Sequence, residues 1–222
     1  MMEAKALAAK AAVRHVEDGM VVALGSGTTV SYVIKELALS KLNVKVLAAS
    51  SQTYLEAVRA GLTHTTLDQN PEPDIYLDSF DQVDPGCNML KGRGGAFLRE
   101  KVLAAASRKR VFVGESSKFR QVLDGPVPLE VLPFALGYVL RRVSDIGGKA
   151  AVRMSQEKNG PTVTDNGNYV VDVDFGPITD PSNLDRELRS IPGVLENGLF
   201  TKMADKVIIA HPDGKVEEIK PP

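Results

Sequence analysis

The sequence predicts an α/β fold, a mostly parallel Rossmann-like sheet domain with a ferredoxin-like α+β domain inserted near its end. Three observations predict it. Short apolar strands alternate with helical segments up to Val113, polar loops follow those strands, and after Gly125-Pro126 the order of elements becomes βαββαβ.

In chain order, the alanine-rich stretch Ala4 to Val16 reads as a helix, followed by the turn Glu17-Asp18-Gly19 and the apolar strand Met20 to Leu24. The loop Gly25-Ser26-Gly27-Thr28-Thr29 opens a helix to about Ala38. The strand Lys45 to Ala49 then leads through Ser50-Ser51-Gln52-Thr53 into a helix ending near Val58. Ile75 to Leu77 is a short strand ending in Asp78, Lys109 to Val113 is another, and the helix holding Glu100 lies between them. Alternation of this kind favours parallel strands whose ligands gather beyond the carboxyl edge. Val127 to Leu132, Ala150 to Met154, Tyr169 to Asp174 and Gly193 to Phe200 read as the strands of the second domain, with helices at Phe134 to Ile146 and Pro181 to Arg189. Val207 to Ala210 is a strand able to rejoin the first sheet. The expected domains are 1–125 plus 204–222, and 126–203.

The chain has 222 residues, 43% of them hydrophobic and 25% charged, with a formal net charge of -1. That is enough material for a sizeable core and too balanced a charge for a general binder of nucleic acid or membrane surfaces, which depend on a concentrated positive field. Cys87 is the only cysteine, which excludes an intramolecular disulfide and fits a cytoplasmic protein. No apolar run approaches the roughly 18 residues of a membrane span. His15, His64 and His211 show no paired spacing with Cys87 for a zinc site.

Gly25-Ser26-Gly27-Thr28-Thr29 lets backbone N–H groups approach an anion at a helix start, with hydroxyls as further donors. It is neither a Walker loop nor a dinucleotide fingerprint, and an ordinary capped turn reads the same way. Asp78 and Asp81 bracket Ser79-Phe80 at a strand end, where carboxylates bind hydroxyls or simply build a turn. Lys91-Gly92-Arg93-Gly94-Gly95 sets a lysine at a stretch that permits close backbone approach, which suits an oxyanion. Glu100, within Arg99-Glu100-Lys101, has the pattern of a solvated helix face when read alone. Lys118 follows Ser116-Ser117 on the same expected edge.

The order of these segments resembles type A ribose-5-phosphate isomerase across nearly the whole chain. The family's G-T-G-S-T is similar to 25–29, its D-G-A-D-E to Asp78-Ser79-Phe80-Asp81-Gln82, and its K-G-G-G-A…R-E-K to Lys91-Gly92-Arg93-Gly94-Gly95-Ala96 with Arg99-Glu100-Lys101. Ser117-Lys118, Val163 to Asn168 and Ile191 to Val194 extend the similarity. The resemblance implies interconversion of D-ribose 5-phosphate and D-ribulose 5-phosphate in the pentose phosphate pathway, without metal or organic cofactor, in a homodimer or homotetramer. Glu100 would be the general base, Lys91 would stabilise charge on the reacting oxygens, and Asp78 and Asp81 would bind sugar hydroxyls and help open the ring. Lys5, Ser26, Gly27, Thr28, Thr29 and Lys118 would surround the phosphate, with Ser79, Phe80, Gly92, Arg93 and Gly94 also against the substrate. A sugar-phosphate sensor of the same fold and an acyl-CoA transferase are the competing classes. Ser79 and Phe80 stand where the family has Gly and Ala, Gln82 removes a carboxylate and Arg93 adds a cation. A bulkier pocket wall at Phe80, and altered affinity or discrimination in Phe80→Ala, are therefore expected.

Overall fold

The computed structural model describes residues 2–156 and 159–221. Helix α1 (Met2–Val13) precedes β1 (Val21–Leu24), and α2 (Thr28–Ser40), β2 (Lys45–Ala48), α3 (Ser51–Arg59) and β3 (Thr63–His64) continue the alternation. Next come β4 (Ile75–Ser79), the short strands β5 (Gln82–Val83) and β6 (Met89–Leu90), α4 (Phe97–Ala106) and β7 (Lys109–Glu115). The chain continues through β8 (Val127–Val131), α5 (Leu136–Asp145), β9 (Lys149–Val152), β10 (Tyr169–Asp174) and α6 (Pro181–Arg189). It closes with β11 (Val194–Asn197), β12 (Leu199–Phe200), β13 (Lys206–Ala210) and β14 (Val216–Ile219).

Among the described residues the chain divides into two compact units, the first made of 2–80, 99–119 and 202–221 and the second of 81–98 and 120–201. The first contains a seven-stranded sheet of order β14-β13-β7-β4-β1-β2-β3, with every neighbouring pair parallel except β13 with β14. Its central strands are apolar without alternation because both faces are covered; Val22, Ala23 and Leu24 of β1 are all fully buried. The small side chains of Ala4, Ala8, Ala9 and Ala12 let α1 lie close, and Val30, Val33, Ile34 and Leu37 give α2 one apolar face. Val207 to Ala210 rejoins this sheet as predicted, parallel to β7.

In the second unit, strands in the order β11-β8-β10-β9 are antiparallel throughout, which is the ferredoxin-like order for βαββαβ. Leu129, Val131, Val139, Val143, Val171 and Val173 are among its fully buried core residues. The turn at 164–168 is tied to β8 through the fully buried Glu130, whose Oε1 accepts from Thr164 Oγ1 (2.9 Å), Asn166 Nδ2 (2.9 Å) and Asn168 Nδ2 (2.8 Å). Asp180 caps α6 by accepting from the Asn183 N–H, with Pro181 at the first helical position.

Two sequence expectations change. The predicted strand 193–200 breaks at Gly198, so that β11 joins the four-stranded sheet and β12 pairs with β6 in a three-stranded one. A Cβ at Gly198 would fall 2.3 Å from the Lys91 carbonyl oxygen, so the break falls where two backbones meet. Residues 81–98, predicted with the first domain, lie in the second unit because β5 and β6 hydrogen-bond there. No helix among the described residues is long and apolar enough to cross a membrane.

Candidate active site

In the first unit the chain runs from β1 outward to β2 and β3, then returns to the other side of β1 as β4. The carboxyl ends of β1 and β4 therefore flank a topological switch point, where an open α/β sheet offers a crevice. The loop after β1 and Asp78 near the end of β4 meet there. The Gly25 N–H donates to the Leu77 carbonyl (3.0 Å), and a Cβ at Gly25 would fall 1.9 Å from Asp78 Cγ. Glycine is thus required at 25 by contact. Asp78 is fully buried, with Oδ1 accepting from the N–H groups of Ser79 (2.7 Å) and Ser26 (3.3 Å) and Oδ2 accepting from the Tyr76 hydroxyl. Burial, and then the charges of Asp78 and Glu100, push the Tyr76 phenol well above its usual range and keep it a donor.

Gly27 is the N-cap of α2 at φ 92°, a backbone conformation that favours glycine, and it supplies no side-chain cap to the first-turn N–H groups. Those donors and the helix dipole suit an anion. Lys5 of α1 donates from Nζ to Thr28 Oγ1 (2.8 Å), which brings a cation to the loop, whereas Thr29 is buried beneath it. Thr53 Oγ1 braces the loop from α3 by donating to the Gly25 carbonyl (2.8 Å). The hydroxyl of Ser26 donates to Oε1 of Glu100 in the first turn of α4, and Glu100 is only 3% exposed. The solvated helix face suggested by local pattern is therefore replaced by a buried carboxylate held by the loop.

Lys118 donates from Nζ to the Phe80 carbonyl (2.7 Å). The Phe80 ring is 1% exposed and packs where a Cβ at Gly114 would approach its Cζ to 2.6 Å. Phe80 is thus a core side chain lodged over a glycine, which corrects the expectation that its bulk forms a pocket wall.

The second unit gathers a different set. Lys91 is 4% exposed, its N–H donates to the Gly198 carbonyl (2.9 Å), and Nζ lies 5.2 Å from the centroid of the Phe200 ring. Gly92 has φ 108°, and a Cβ there would come within 2.6 Å of Pro128. Asp81 accepts the Arg93 N–H (3.2 Å), the Arg93 side chain is 86% exposed, and Gly94 is exposed. A cavity of about 240 Å³ is lined by Asp81, Lys91, Arg93, Arg153 and Asp172 among others. Gln82 Nε2 donates to Asp124 (2.7 Å) while its Oε1 accepts from the N–H groups of Asp124 and Gly125. The departure at this position therefore has a structural partner.

Sequence reasoning missed Tyr76, Thr53 and Arg153. Tyr76 was accessible through strand alternation, since residues 76 and 78 share a face. Arg153 carried no local signal.

Fold and site together define an α/β protein with an anion-receptive loop and a buried carboxylate at the carboxyl edge of its sheet. The family model for ribose 5-phosphate isomerase A (phosphoriboisomerase A) matches residues 45–214. A model of the DeoR C-terminal sensor domain matches residues 1–65, a stretch without Lys91 or Glu100. Ribose-5-phosphate isomerase A of Methanosarcina acetivorans is 42% identical over 97% of this chain and 93% of its own, and that of Archaeoglobus fulgidus is 44% identical over 91% and 92%. A solved D-ribose-5-phosphate isomerase in complex with phospho-erythronic acid superposes with a TM-score of 0.95 at 37% identity, covering 99% of this chain and 98% of that one. The enzyme from Methanocaldococcus jannaschii gives 0.94 at 36% identity, with 99% of both chains covered. The chain belongs to the ribose 5-phosphate isomerase A family.

Proposed function

We propose that this chain interconverts D-ribose 5-phosphate and D-ribulose 5-phosphate through a cis-enediolate, with Glu100 as the base. The observation that carries the reading is the Ser26–Glu100 hydrogen bond, which ties a buried carboxylate to the anion-receptive loop. Glu100 takes the proton from C2 of the open-chain aldose, the electron pair left behind forms the C1=C2 bond, and O1 takes the negative charge. Return of the proton to C1 and passage of the O2 proton to O1 give the ketose. Lys91 stabilises the developing oxyanion. Asp78 and Asp81 hold sugar hydroxyls, and Ser26, Gly27, Thr28, Lys5 and Lys118 hold the phosphate, whose binding energy aligns C1 and C2 with the base. In this reading Thr29 contributes backbone and packing. The complex of a relative with phospho-erythronic acid supports it, because a carboxylate presents two oxygens sharing a negative charge much as an enediolate does.

The same reading includes a cytoplasmic setting in the pentose phosphate pathway and a homodimer or homotetramer. Light scattering tests the last. To test the chemistry, ribulose 5-phosphate formation is followed in the presence of a chelator, with Glu100→Gln measured beside the parent. Turnover by the parent and a loss of about 10²–10⁴-fold in kcat for the variant are expected. Binding of ribose 5-phosphate without turnover would instead make the chain a sensor.

A further inference from the structure

Arg153 follows β9, and its N–H donates to the Val170 carbonyl (2.8 Å) on β10. Its side chain divides between two tasks. Nε (2.8 Å) and Nη2 donate to the two carboxylate oxygens of Asp172, and Nη1 donates to the carbonyl oxygens of Gly92 (3.0 Å) and Arg93 (2.9 Å). Both carbonyls belong to the turn that follows Lys91, and the Gly92 carbonyl also accepts from the Gly95 N–H (3.1 Å). Gly92 sits at φ 108°, one of several backbone conformations open to glycine, and the two hydrogen bonds to its carbonyl select the orientation its peptide takes. On the preceding side the Lys91 N–H is held by the Gly198 carbonyl. The Lys91 backbone is thus fastened on one side by Gly198 and on the other by Arg153. Only a planar fork reaches a carboxylate and two carbonyls at once, and a lysine ammonium does not.

We propose that Arg153, oriented by Asp172, is a positioning residue that fixes the 91–93 turn and through it the place of the Lys91 ammonium. The inference rests on Lys91 acting as the oxyanion stabiliser. Arg153→Lys, Arg153→Ala and Asp172→Asn are measured with ribose 5-phosphate beside Lys91→Ala, together with the Arg153→Ala/Lys91→Ala double variant. Arg153→Ala is expected to lower kcat by about 10–100-fold with KM within about threefold of the parent, because misplacing a catalytic group costs rate. Arg153→Lys restores little of it, and Asp172→Asn shows the same pattern to a smaller degree. Lys91→Ala alone loses about 10²–10³-fold. In the Lys91→Ala background Arg153→Ala costs no further rate, an outcome a purely structural role would not produce.

If Arg153→Ala does not fold, Arg153→Lys carries the test with Lys91→Ala as its background. Full kcat in a folded Arg153 variant, or equal losses in the presence and absence of Lys91, overturns the positioning role while leaving Lys91 in place. Full kcat in Lys91→Ala overturns the Lys91 reading and the inference with it.

Discussion

Gly25 and Asp78 show how one missing methyl group sets a site. With only 1.9 Å between a Cβ at 25 and Asp78 Cγ, Gly25→Ala must displace the carboxylate that holds the Ser26 and Ser79 N–H groups. A loss of about 1–3 kcal/mol in stability is expected by urea melt, with a fall in kcat because Ser26 also holds Glu100. Phe80 and Gly114 form a second such pair. Phe80→Ala empties a core position, so the expected outcome is about 3–5 kcal/mol of destabilisation. A parent-like melt with altered KM would return Phe80 to the substrate pocket. Gln82→Glu removes the donor to Asp124 and sets a second carboxylate against it, with an expected cost of about 1–3 kcal/mol on the same assay.

At the scale of elements, the strands and helices with a clear period were readable from sequence: β10 and α6 have the predicted bounds, and β1, β2 and β7 differ by a residue or two at their ends. The failures have physical causes. Strands β5, β6 and β12 are two residues long, too short for any period, and they exist because partners distant in sequence complete them. The Glu100 helix was legible as a helix, but its buried side followed only from the loop that covers it. One ion pair lies where the chain returns to the first sheet: Asp205 accepts from the Arg110 N–H (2.7 Å) and from its guanidinium, just before β13 pairs with β7. The hydrogen bonds from the Arg110 side chain hold the Asp205 carboxyl below the usual aspartate range. A lowered folded value means that its stabilisation is complete above the unfolded value, near pH 4, and is lost as pH falls through the folded one. Asp205→Asn is expected to lower Tm by about 1–3 °C at pH 7, with the gap closing as the pH drops below that range.

For the molecule as a whole, the α/β class and the insertion were legible from the alternation of elements, whereas the assignment of 81–98 was not, because no composition shift marks either end of that stretch. The chain passes between its two units at 80–81, 98–99, 119–120 and 201–202, and α4 itself straddles one of these points. Neither unit is a continuous piece of sequence. A single calorimetric transition is therefore expected, and two resolved transitions would show that the units unfold separately.

The place of β13 bears on how the protein is made. Strand β7 lies between β4 and β13, yet β13 leaves the ribosome about 90 residues after β7 does. At about 5–20 residues per second, each nascent chain carries an open, apolar strand edge for on the order of ten seconds, a template for chaperones or for neighbouring nascent chains. A chain cut after Asp205 would keep that edge permanently, and its expected destination in a cell lysate is the pellet.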